Sequence, residues 1–212
     1  MRIDVLKLIE THSDYSKAKR GRKNLGHLTR SAVVMLCAAW ERYNEDLLLE
    51  AIKYISDNIS NASLLNNRIK KTISSKVKND LIEIKPMSLA DSGWKAVWLN
   101  YAESDVEKLN TPKSNILQTL FKNHLGIEDY CIFWKSTNPQ EINDFVSDRG
   151  EIAHNGSKAK YITMTKLRKY QDLIIDNVIE IDSNMADKLK DMVSSANLPW
   201  EKNYFKDLEN YK

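Results

Sequence analysis

Arg149 and His154 share the segment SDRGEIAHNG, residues 147–156, and their types and spacing are the first in the chain to suggest chemistry. A guanidinium is a permanent cation whose fork of donors suits an anion. An imidazole changes charge near neutral pH. What the two can do together depends on the backbone that carries them.

That backbone reads as a helix over about 139–154. Asn138 supplies an N-cap, Pro139 fits the first helical position, Glu141 stands where a capping box places its acid, and Gly156 after Asn155 supplies a stop. At about 100° per residue, Ile142, Phe145, Val146, Ile152 and Ala153 form one apolar stripe with Arg149 near its middle. An arginine is rarely buried without a partner, so an anion or a subunit contact is expected to meet it there. His154 lies about 140° further round, on a flank shared with Asn143, Ser147 and Gly150. It falls in the last turn, where the helix dipole favours imidazolium. The plainer alternative makes His154 a cap-like surface residue and pairs Arg149 with a core carboxylate. Gly150 costs on the order of 1 kcal/mol relative to alanine in a helix interior, which points to close approach of another backbone or a ligand.

The elements that must position this helix are also helical. Val33, Cys37, Trp40, Leu47, Ala51 and Ile55 alternate by threes and fours along 28–55, with Asn44 the one polar member of their stripe. A second long helix is expected from about Thr165 to Val193. Shorter candidates lie in LLNNRIKKTISSKVKNDLIEI, GWKAVWLNYAESDVEKL and SNILQTLFKNHLG. The last is expected to open with Thr111 as cap and Pro112 at the first helical position, and to close on Gly126. No segment alternates with period two, and no Asn-Gly hairpin joins β-branched runs. The fold class is all-α, a bundle with inserted short helices. Residues 1–24 read as an N-terminal helical extension, 25–197 as the main helical domain and 198–212 as a C-terminal tail.

Composition bounds the function. With 42% hydrophobic and 29% charged residues, the 212-residue chain has the make-up of a soluble globular protein. Its net charge of +3 neither demands nor forbids a polyanionic partner, since what matters is where the cations cluster. Two clusters occur, KAKRGRK (17–23) and RIKKTISSKVK (68–78); each is either a phosphate-contacting surface or an ordinary solvated face, and no stacking aromatics interleave them. Two cysteines, Cys37 and Cys131, argue against a disulfide framework and for a reducing cytoplasm. The longest apolar run, AVVMLCAAW, is about half of a membrane span, and the N-terminus has no secretory pattern. No membrane partner is expected. HExxH, paired CxxC, aspartate clusters, glycine-rich phosphate loops and G-x-S-x-G are all absent, so neither metal nor cofactor is expected. His12, His27 and His124 stand isolated.

The RGEIAH segment resembles the signature of the HEPN superfamily of all-α domains. LTRSAVVMLCAAWERYNEDLLLEA is similar to the tryptophan- and glutamate-bearing helix of the RiboL-PSP-HEPN branch, through Trp40 and Glu41, and TPKSNILQTLFKNHLGIEDY resembles a segment that branch carries before its signature helix. Together these cover roughly 25–180. The resemblance implies metal-independent cleavage of RNA by a homodimer, with His154 as acid/base and Arg149 on the phosphate. Ser147, Gly150, Asn155 and Glu41 would support them, although the plain reading of Glu41 is a buried or interhelical pair. It further implies a bacterial defence or toxin-like role, with an antitoxin or defence-system partner. Catalytically competent HEPN proteins usually place a polar residue, often asparagine, where Gly150 stands. That departure favours the alternative, a non-catalytic module binding a partner protein or nucleotide. Tyr161 follows His154 by seven positions, too far to match the modified tyrosine of HEPN toxins silenced by nucleotidyltransferase antitoxins.

Overall fold

Apolar groups spaced by threes and fours give an all-helical architecture. The computed structural model describes residues 2–17 and 25–202, so most of the first basic stretch, residues 18–23, lies outside the described residues. In chain order the helices are α1 (Arg2–Lys17), α2 (Gly26–Asn58), α3 (Asn67–Lys78), α4 (Gly93–Val106), α5 (Ser114–Leu125), α6 (Pro139–Asn155) and α7 (Met164–Val193). Short 3-10 turns interrupt the connections, and no strand occurs among the described residues.

The organising element is α2, which packs against α1, α4, α5, α6 and α7. Its expected stripe is buried throughout, from Val33 through Cys37 and Trp40 to Leu47, Ala51 and Ile55. Trp40 is fully buried, meets Trp134 edge-on at 5.8 Å, and donates its indole N–H to the Pro112 carbonyl at 3.0 Å. Asn44, the polar member, donates to the Trp40 carbonyl at 2.8 Å and accepts from the Tyr130 hydroxyl at 2.7 Å. Tyr130 in turn stacks on Phe121 of α5, ring centres 3.8 Å apart. A buried amide is thereby satisfied on both sides, as burial requires. Val5 and Ile9 bring α1 onto the same core.

Two local expectations give way to longer-range contacts. α5 begins at Ser114 with Lys113 as its N-cap, not at Thr111-Pro112, because Asn143 of α6 reaches across and accepts from the Ser114 N–H at 2.9 Å. Pro112 instead serves Trp40 through its carbonyl. At the far end Gly126 takes φ 69°, the left-handed stop expected there. Glu141 does not close a capping box on α6, because its carboxylate pairs with Lys169 of α7 at 2.9 Å; Asn138 alone caps, accepting from the Gln140 N–H. Ala153, expected in the apolar stripe, is exposed, while Ile142, Phe145, Val146 and Ile152 are buried.

Replacing Tyr130 with phenylalanine removes the hydroxyl that satisfies Asn44 and leaves a buried acceptor unpaired, so it should cost about 1–3 kcal/mol of unfolding free energy. Urea denaturation of parent and variant measures it. A change below about 0.5 kcal/mol would show that Asn44 finds another donor.

Candidate functional site

The segment 147–156 forms the last turns of α6 and the stop that follows. Gly156 adopts φ 53°, and its N–H returns to the Ile152 carbonyl, ending the helix directly after His154 and Asn155. The next connection folds back against α6, where Glu151 accepts from the Lys160 N–H at 2.9 Å. Asp148, one residue before the arginine, accepts from the Tyr170 hydroxyl at 2.7 Å and pairs with Lys166, both on α7. Asn143 is committed to the start of α5. The Ser147 hydroxyl donates to the Asn143 carbonyl at 2.7 Å, within its own helix.

Against that background Arg149 and His154 stand apart. Neither side chain has a hydrogen bond or an ion pair among the described residues. Arg149 is half-buried in the α2–α6 contact, whereas His154 is exposed at the helix end. On one helix five residues apart, their Cα atoms differ by about 7.5 Å along the axis and about 140° around it. A single α6 therefore turns the two groups to different sides.

Arg149 is accompanied by charge rather than by a bond. Across the contact lie Cys37 and Glu41 of α2, one turn apart, and both feel its guanidinium. Burial raises the Glu41 carboxyl above its ordinary value; the Arg149 charge pulls it back and Glu45 pushes it further up. The Glu41 Oε2 atom is buried with no hydrogen-bond partner. Burial likewise pushes the Cys37 thiol up to about 12, against the pull of Arg149, so it stays neutral and unreactive. The structure thus sets Glu41 near Arg149 without closing an ion pair on it.

Gly150, between the two, has no atom of the described residues beyond its chain neighbours and its own helix's backbone within 4 Å of where a Cβ would stand. The close approach expected from its position is absent within the subunit. Beside the end of α6, His27, Arg30, Val34 and Met35 of α2 together with Ile152 and Gly156 line a largely apolar groove of about 410 Å³. Sequence reasoning missed Asp148, Glu151, Lys166 and Tyr170, whose partners are remote or backbone atoms with no short-range signal. Asn155 sits exposed beside His154. Among the described residues no group of three or more histidine, cysteine, aspartate or glutamate side chains could hold a metal ion, and no helix is long and apolar enough to cross a membrane.

Because space around Gly150 is open, Gly150→Ala should raise the unfolding free energy by up to about 1 kcal/mol, read from urea denaturation. A loss of stability would show that a second body packs where the side chain is missing.

No curated protein and no solved structure matches the chain. The sequence model of one family, RiboL-PSP-HEPN, matches residues 2–206. The match takes in α1 and α7 as well as the segments around Trp40, Leu117 and Arg149. The chain belongs to the RiboL-PSP-HEPN family of helical domains.

Proposed function

We propose that the chain is an endoribonuclease that needs no metal and acts as a homodimer. The observation that carries this reading is the contrast along α6. Asp148, Glu151, Asn143 and Ser147 are all engaged within the fold, while the one permanent cation and the one titratable ring of the segment have no partner among the described residues. A half-buried guanidinium without an acceptor is costly to maintain in a fold that gains nothing from it.

The chemistry assigns each group a task. Attack of a ribose 2′-hydroxyl on the adjacent phosphorus needs a base for the attacking oxygen and an acid for the leaving 5′-oxygen. Imidazole serves as either. The charge that builds on the phosphoryl oxygens needs a fixed cation, and Arg149 is held for that by packing against α2. Glu41 offsets part of the Arg149 charge through space and makes no bond to it. One subunit offers a single motif histidine, and α6 turns it away from the arginine. A two-fold contact at the end of α6 brings two of each to one cleft. The apolar groove of Val34, Met35 and Ile152 lies next to that end and suits a second copy of the chain. An RNase of this kind must be held silent until needed, which fits a toxin-like or defence role in the cytoplasm with an antitoxin or defence-system partner. Gly150, in place of the usual polar residue, favours the second reading: a non-catalytic module that binds a partner protein or nucleotide.

Labelled RNA incubated with the purified chain in EDTA should be cut to 2′,3′-cyclic phosphate and 5′-hydroxyl ends, and DNA of the same sequence should survive. His154→Ala should lower the rate by about a hundredfold or more with folding intact, because the ring is exposed. Arg149→Ala should also abolish cleavage. Equal cleavage by parent and His154→Ala, or loss in EDTA with rescue by Mg²⁺, overturns the mechanism. A parent that binds nucleotide or protein but never cuts RNA supports the second reading.

A further inference from the structure

Between Asp57 and Asp80 the chain carries no acidic residue, but it carries Arg68, Lys70, Lys71, Lys76 and Lys78. α3 sorts them by face. Ile69, Ile73 and Val77 are buried against the bundle; Arg68, Lys71 and Ser75 are exposed away from them, and Thr72 and Lys76 flank the buried stripe, half-buried. With Asn123 of α5 these five line an open groove of about 370 Å³. Each of the six side chains carries a hydrogen-bond donor, and none is aromatic or purely apolar. Elsewhere the surface differs. The larger hollow between α1 and α7, about 810 Å³, mixes Glu141 and Asp172 with Arg168 and Lys169, and the groove at the end of α6 is largely apolar.

Two of the three cations of this groove are held by a partner, and only one of those partners is a carboxylate. Arg68 donates to the Asn123 side-chain carbonyl at 2.7 Å, so a neutral amide orients the guanidinium without cancelling it. Lys76 is anchored at 2.8 Å to Asp105, which also meets the buried His124 ring at 2.8 Å. Lys71 is exposed and has no acidic partner among the described residues; Lys78, two turns further along the same side of α3 and outside the groove's lining, is likewise exposed without one and extends the positive surface past the groove. One carboxylate thus offsets one cation of the groove, and the remainder is positive.

We propose that this groove binds the phosphate–ribose backbone of single-stranded RNA away from the bond that is cut. The inference rests on the ribonuclease reading for the identity of the polymer. Donors set without stacking rings hold a backbone and read no bases, so the contact is blind to sequence. The hydroxyls of Thr72 and Ser75 suit phosphate oxygens and ribose hydroxyls between the cations. The groove is also within reach of the motif. Asn143 of α6 touches Ser114 at the start of α5; Asn123 lies nine residues along α5 and Arg149 six along α6. Those rises sum with the contact to no more than about 30 Å, within the span of a short oligonucleotide. The exposed Leu81, Ile82, Ile84 and Met87 follow α3 but do not line the groove, which sets RNA ahead of a lipid surface.

The test uses the full chain carrying His154→Ala, so that RNA is bound without being cut, and a fluorescein-labelled oligouridylate of roughly 20 nucleotides. Adding Arg68→Ala, Lys71→Ala and Lys78→Ala, all at exposed positions, should weaken binding about tenfold or more. It should also flatten the dependence of log K on log salt by about 2, three phosphate contacts at about 0.7 each. Arginine at positions 71 and 78 should retain binding, and circular dichroism should be unchanged in all variants. Unaltered affinity and salt slope overturn the proposal, as does a parent that does not bind the oligomer. So does a variant that loses phosphatidylserine vesicles but keeps RNA. In the catalytically intact chain, the dinucleotide UpA is too short to reach the groove. If UpA is cut and the oligomer KM ignores the triple substitution, the groove fails and the motif stands. If neither substrate is cut but binding needs the groove, the motif fails and the groove stands.

Discussion

Arg149 sits in the contact between α2 and α6 with the charge of Glu41 felt across it and no hydrogen bond or ion pair among the described residues. A buried Glu41 oxygen without a donor costs on the order of 1–3 kcal/mol, and an arginine without an acceptor adds to the cost. An ion pair between them would relieve both and would consume the guanidinium. Contacts with other parts of the chain hold α6 in place. Asp148 ties it to α7, Glu151 ties it to the returning chain, Asn143 ties it to α5, and Phe145 packs on Tyr170 with ring centres 5.0 Å apart. α2 is held as firmly, with Trp40 fixed between Trp134 and the Pro112 carbonyl.

Helix existence and the apolar faces were legible in the sequence because spacing carries them. The buried set of α2 appears in the alternation from Val33 to Ile55, and the ends of α6 appear in Asn138-Pro139 and Gly156. What failed to show is what depends on a partner distant in sequence. The start of α5 belongs to Asn143, twenty-nine residues on, and Glu141 answers to Lys169 rather than to its own helix. Local capping rules read Thr111-Pro112 and Ser/Asn-to-Glu patterns as caps, and a long-range contact outbids them. The candidate site was legible as two residues and opaque as an arrangement. Asp148 and Glu151 have partners in Tyr170, Lys166 and Lys160, which no periodicity connects to α6, whereas Arg149 and His154 beside them have none among the described residues.

The same helix geometry sets the limits of one subunit. Five residues of α6 rotate His154 away from Arg149, so in the proposed nuclease acid, base and cation meet only where a second chain supplies its own pair. The largely apolar groove beside His154 and the donor-lined groove on α3 then divide the surface by chemistry. The first suits a second subunit, and the second suits a polyanion.

The composite cleft is the central claim, and subunit mixing tests it most directly. Parent and His154→Ala chains carrying different tags are co-expressed in equal amounts, mixed assemblies are verified by sequential capture, and RNA cleavage per total chain is compared with the parent alone. If each cleft needs both histidines, random pairing leaves about a quarter of the parent activity. Retention of about half, with mixed assemblies present, means that each chain cuts alone. That result, or the absence of mixed assemblies, would contradict the account.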